Sequence, residues 1–122
     1  MVFTNAGKQR MLEILYGDEA TDTITDFKIG DGTTPFSSAS TDLTSPIEIG
    51  GGELVDFTSH TYTSGTATME AQCDISTTDY TGNCSEFGIF TASGTSIFLE
   101  TFPTYYKDNS TNLRILAKFT ML

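Results

Sequence analysis

Few side chains in this 122-residue chain are of the types that do covalent or acid–base chemistry, so their spacing decides what they could do. There is one histidine, His60, and there are two cysteines, Cys73 and Cys84. Nucleophilic catalysis needs a nucleophile within reach of a base, and the sequence has no Gly-x-Ser-x-Gly elbow. A Cys84–His60 pair would require the fold to join distant segments, and His60 reads as an ordinary strand residue. Two Cys and one His fall short of the four ligands of a zinc site. Asp18, Asp22 and Asp26 recur every four residues but lack the Asp-x-Asp-x-Asp-Gly order that wraps calcium, and are expected in a solvated acidic loop. Gly30-Asp31-Gly32 lacks the Lys of a phosphate loop and reads as turn chemistry, with Gly permitting positive φ. Asn83-Cys84-Ser85 and Asn109-Ser110-Thr111 fit the N-glycosylation pattern, as triplets often do by chance in a Ser- and Thr-rich chain. The expectation is a protein that is no enzyme and needs no metal or cofactor.

Cys73 and Cys84 flank a loop rich in Thr, Asp and Gly. If residues 69–75 and 84–91 paired as hairpin strands, a Cys73–Cys84 disulfide would need Cα atoms within about 7 Å. Synthesis in the cytoplasm favours two free, partly buried thiols instead.

The elements around these residues read as mainly β. Residues 5–16 have the pattern of a helix, with Asn5 as cap, Met11, Leu12 and Leu15 on one apolar face, and Gly17 as the stop. Residues 24–29 read as a short strand with Phe27 and Ile29 turned inward. Residues 30–52 hold Gly, Pro, Ser and Thr with few apolar side chains and are expected to form one long loop. From residue 53 the period becomes two. Val55 and Phe57 begin a strand reaching Tyr62, and Ala67, Met69, Ala71, Cys73 and Ile75 share a face. Leu113, Ile115, Ala117, Phe119 and Met121 share another, with Leu116 and Leu122 breaking the polar side. These spacings predict a single domain over residues 1–122, an antiparallel β-sandwich with one N-terminal helix and a long ordered loop.

A chain of this length buries roughly two-thirds of its unfolded surface, enough for a real core. Nine Phe and five Tyr with no Trp make that core aromatic. Sixteen acidic against six basic residues give a formal charge of -10. Such acidity argues against nucleic acid and against an anionic membrane surface. It serves solubility, or a salt-rich medium in which repulsion is screened. No apolar run approaches the ~20 residues that span a bilayer, and no secretory signal is evident.

The most distinctive stretch is Glu86-Phe87-Gly88-Ile89-Phe90, followed by a Gly-containing turn and Ile97-Phe98-Leu99-Glu100. It reads as a half-buried hairpin in which Gly88 leaves room for a backbone or an aromatic ring. Together with Thr4-Asn5-Ala6-Gly7-Lys8, the loop Ile29-Gly30-Asp31-Gly32-Thr33-Thr34 and the following Ser40-Thr41-Asp42-Leu43, it resembles the phage tail-collar and tail-fibre attachment family. That resemblance implies a structural part of a tailed-virus particle, from a bacteriophage or an archaeal virus, made in the host cytoplasm and located in the virion. It also implies a symmetric homo-oligomer meeting other capsid or tail proteins. A chain ending at Leu122, with no shaft, makes a capsid decoration or vertex turret protein the alternative.

In an assembly, the helix face of Met11, Leu12 and Leu15 would meet partners. Phe36, Leu43 and Ile47 are expected to anchor the long loop at an interface, since the loop holds few other apolar side chains. Tyr105 and Tyr106 suit a subunit contact as well. In a second alternative, a glycan- or receptor-binding β-sandwich, Tyr62, Tyr80, Tyr105 and Tyr106 would stack on host-surface sugars beside Asp108 and Asn109.

Overall fold

The computed structural model describes residues 1–120, so the expectations for Met121 and Leu122 lie outside the described residues. In chain order come β1 (Val2–Phe3), α1 (Asn5–Leu15), β2 (Ile24–Gly30), β3 (Val55–Asp56), β4 (Ser59–Thr63), β5 (Thr68–Ile75), β6 (Gly82–Thr91), β7 (Ser96–Lys107) and β8 (Leu113–Thr120). They make two antiparallel sheets, one ordered β1-β7-β6-β2-β3 and the other β4-β5-β8. The sandwich-like, mainly β class expected from the alternation is the class observed. Between β2 and β3 runs the long loop, whose ladder contacts among the described residues are single bridges from Gly30 to Pro46 and from Ile49 to Gly52.

Period-two patterning explains the core. Phe27 and Ile29 of β2, Phe87 and Ile89 of β6, and Ile97 of β7 meet Ala71, Cys73 and Ile75 of β5 and Ala117 of β8. Phe98 links the layers, its ring 4.7 Å from that of Phe3 and 5.2 Å from that of Phe119 on β8. Strand β6 is buried along almost its whole length because it lies at the centre of the larger sheet and both its faces are covered. Phe87 and Ile89 face the other sheet, while Phe90 packs with Leu99 and Leu43 in a second, smaller core. Two covered faces account for an apolar run that does not alternate with polar residues.

Several local expectations are corrected. Residues 55–62 are not one strand, because the chain changes sheets in the middle. Phe57 N donates to Thr25 O on the larger sheet at 2.9 Å, and the next amide, Thr58 N, donates to Gln72 O on the smaller one at 2.8 Å. The helix is capped one residue earlier than Asn5: Thr4 Oγ1 accepts from Gly7 N at 2.9 Å and donates to Ser96 O at 2.8 Å. Gly7 is buried against β7, where a Cβ would lie 2.7 Å from the Ile97 Cα. The helix therefore docks through Gly7 and Met11 and leaves Leu12 52% and Leu15 77% exposed. Gly17, at φ 84, ends it as expected.

The Cys73–Cys84 disulfide is not formed, and residues 69–75 do not pair with β6. Cys73 stands on β5 between β4 and β8, Cys84 stands on β6 in the opposite sheet, and both are free buried thiols. Burial pushes the Cys73 thiol up to about 12, with Asp74 adding to the effect, and burial raises Cys84 as well. Lys107 is fully buried beneath the β5–β6 connection, its ammonium donating to Tyr80 O at 2.8 Å, Asp108 O at 3.2 Å and Thr77 O at 3.5 Å.

Gly88 occupies a position that no side chain fits. A Cβ there would meet the Phe90 ring at 2.6 Å and Leu99 Cδ2 at 2.8 Å. Gly88→Val is expected to lower stability by roughly 1–3 kcal/mol in chemical denaturation, as overpacked core sites do.

Candidate functional site

The long loop is the least regular part of the chain, and a buried carboxylate holds it. Glu86 has no exposed surface, and its two oxygens accept from successive loop amides, Ser45 N at 2.7 Å and Thr44 N at 3.1 Å. A carboxylate deprived of water is tolerated when such donors replace its hydration. The loop also pairs at its root, with Asp31 N donating to Ser45 O at 3.1 Å and Ile47 N donating to Ile29 O at 2.9 Å. Ser85 Oγ donates to Gly32 O at 2.6 Å. Gly30 and Gly32 are small because the Glu86 carboxylate occupies the space their side chains would take. Neither has positive φ, so the turn explanation for Gly30-Asp31-Gly32 is replaced by close approach.

A second anchor sits further along. Lys28 Nζ lies 3.1 Å from Asp42 Oδ1 and 3.6 Å from Glu53 Oε2, and 4.7 Å from the centroid of the Phe90 ring. Asp42 in turn accepts from Leu43 N at 2.8 Å, which points Leu43 down between Phe90 and Leu99. Leu43 is 5% exposed, Phe36 packs against the same cluster, and Ile47 packs against the main core. These three side chains hold the loop to its own domain, and Leu43 in particular is a core residue. Glu86→Gln puts an NH2 group opposite a backbone N–H and is expected to cost about 1–3 kcal/mol. Leu43→Ala is expected to cost about 2–5 kcal/mol. Thermal unfolding of both variants checks this, and unchanged midpoints would mean that the loop is not part of the cooperative fold.

The acidic residues divide unexpectedly. Asp18 is exposed, but Asp22 and Asp26 are buried and do not belong to a solvated loop. Burial raises the Asp22 carboxyl, yet hydrogen bonds together outweigh it and leave Asp22 below the usual range: Ser93 donates from its hydroxyl at 2.7 Å and its amide at 3.2 Å, and Thr91 and the Thr23 amide add to them. Asp26 is pushed above its ordinary value, first by burial and then by Asp56, its cross-strand neighbour on β3, although Thr25 Oγ1 donates to it at 2.7 Å. A carboxyl raised on folding favours the native state when protonated, and that contribution is lost as pH rises through the folded value. Asp26→Asn is therefore expected to raise the melting temperature at neutral pH, with the gain disappearing below the ordinary Asp value of 3.8. A gain of equal size at both ends of a pH series would contradict the assignment.

The remaining candidates are scattered. His60 lies on exposed β4 and Cys84 in the buried centre of the other sheet. Among the described residues no group of three or more His, Cys, Asp or Glu is placed to hold a metal ion, and no helix is long and apolar enough to cross a membrane. The four tyrosines do not make one platform. Tyr80 is partly buried with its hydroxyl donating to Asn83 O, Tyr62 is on the smaller sheet, and Tyr105 and Tyr106 are consecutive strand residues and so point to opposite faces. Exposed apolar surface lies instead on the helix, at Leu12, Leu15 and Tyr16, beside a pocket of about 370 Å³ lined by Phe3, Met11, Ile14, Phe98 and Phe119. The sequence marked Leu12 and Leu15 but not this pocket, because its walls come from segments far apart in the chain. No known protein family, curated protein or solved structure matches the chain.

Proposed function

We propose that this chain is a structural component of a tailed-virus particle, assembling as a symmetric oligomer at a tail collar or fibre base or as an adaptor. The observation that carries the reading is the contact between the two stretches on which the family resemblance mainly rests. Glu86 of Glu-Phe-Gly-Ile-Phe seats its carboxylate against Gly30 and Gly32 of Gly-Asp-Gly-Thr-Thr, so the two stretches form one unit. Two short patterns that depend on each other physically carry more weight than two independent ones. The exposed Leu12, Leu15 and Tyr16 of the helix supply apolar surface of the kind that assembly contacts use.

A place on the capsid, as a decoration or vertex turret protein, uses the same surfaces, and the rotational order of the particle distinguishes it from a tail position. The dispersal of the tyrosines gives the glycan-binding reading less support. Density-gradient fractions of particles from the source are expected to contain the protein, retained through a high-salt wash. Its presence only in the soluble fraction of infected cells would overturn the proposal.

A further inference from the structure

The smaller sheet ends in β4 on one side and β8 on the other, and among the described residues neither outer edge pairs with a strand. A free edge is a row of unpaired N–H and C=O groups that proteins blunt with Lys, Pro or bulges, or else use for pairing. Strand β4, Ser59-His60-Thr61-Tyr62-Thr63, has none of these devices and is exposed at every residue. On the far side, β8 borders a cleft of about 590 Å³ that separates it from β7. Phe87, Phe102, Leu113, Ile115 and Ala117 line this cleft. Beyond Leu99, β7 is paired among the described residues by β6 alone, so the cleft is an opening between two sheet edges.

Charge selects the occupant. Across β5 and β8, Glu70 stands opposite Lys118 and Asp74 opposite Arg114, so the three-stranded sheet is neutral. The entire formal charge of -10 lies on the rest of the chain. The rest of the chain as a whole repels a copy of itself, whereas this sheet approaches a copy without net charge. Pairing β8 with β8 would bring Arg114 and Lys118 of both copies together with no acidic residue on either strand. Strand β4 carries no formal charge.

Tyr62 provides the fit. It shares the face of Met69 and Phe119, which turns toward the other sheet, yet it is 71% exposed, with no covering side chain among the described residues. We infer that β4 of one copy adds to β8 of a second copy, running parallel to it, and places Tyr62 in the cleft between β8 and β7. The direction follows from topology, since β4 and β8 are both antiparallel to β5 and copies related by rotation about the strand axis keep that sense. Backbone bonds then give affinity and the inward side chain gives specificity, as in strand addition generally. The contact is head-to-tail, so it closes a ring or extends a filament. The inference rests on the assembly reading for its context, while its geometry belongs to the purified chain.

Engineered cysteines test it. Within one chain, Thr61 and Lys118 are separated by β5, about 9–10 Å apart, and a disulfide needs Cα atoms within about 7 Å. Pairing Thr61 with Leu116 brings Tyr62 level with Ala117 in the cleft, so under mild oxidation the purified Thr61→Cys/Leu116→Cys protein is expected to run as a ladder of disulfide-linked multimers. Thr61→Cys/Lys118→Cys covers a register shifted by one pair, and the single variants should stay unlinked. Dimers from Thr61→Cys alone would indicate β4–β4 pairing, and dimers from Lys118→Cys alone β8–β8 pairing; either result overturns the inference. Tyr62→Glu should keep the circular dichroism spectrum and raise the midpoint of self-association in sedimentation by about ten-fold or more. An unchanged midpoint, or wild-type protein that is monomeric throughout the micromolar range, also overturns it. Ladders from a protein never found in particles would uphold the edge pairing and defeat only the virion assignment.

Discussion

One buried carboxylate sets the shape of the larger sheet's outer face. Glu86 has no contact with water, and stripping a carboxylate of its hydration costs several kcal/mol unless donors replace it. The amides of Thr44 and Ser45 are those donors, and they are available only when the long loop lies flat on β6. The fold therefore couples a central strand to a segment some forty residues away in sequence. The small residues at 30 and 32, the loop's path back toward β2 and the seating of Leu43 over Phe90 all follow from accommodating that side chain. Lys28 reinforces it with opposite charge, reaching the same loop at Asp42 and Glu53.

The electrostatic character of the molecule follows from how few cations it has and where they go. Of six, Lys28 and Lys107 are buried in structural roles and Arg10 is committed to Glu13, Glu19 and Asp22. Arg114 and Lys118 stand on one strand, where they balance the only two acidic residues of the smaller sheet. Uneven distribution leaves the smaller sheet neutral while the chain as a whole carries -10. Among the described residues no buried side-chain nitrogen or oxygen lacks a partner, so the polar interior is fully used.

Much of the fold was legible in the sequence because alternation is a local signal. The faces of β5 and β8, the inward Phe27 and Ile29, the hairpin of β6 with β7 and the stop at Gly17 could each be read within a window of a few residues. What failed was whatever depended on a distant partner. An unbroken alternation from Val55 to Tyr62 cannot reveal that two amides in its middle turn to different sheets. Likewise, a Cys on either side of a turn suggests a hairpin bridge until the chain is seen to cross between layers.

The candidate surfaces show the same division. Residue types alone fixed two short glycine-containing motifs, an apolar helix face and a shortage of cations, all properties of composition and short spacing. Only the tertiary structure decided that Gly7 and not Leu12 or Leu15 is buried against the sheet, that Leu43 belongs to the core, and that Tyr62 is left exposed. The physical reason is that burial is decided by what lies opposite. The sequence dictates which side of a strand or helix a residue takes, and only the packing of the two sheets and the loop determines whether that side is covered.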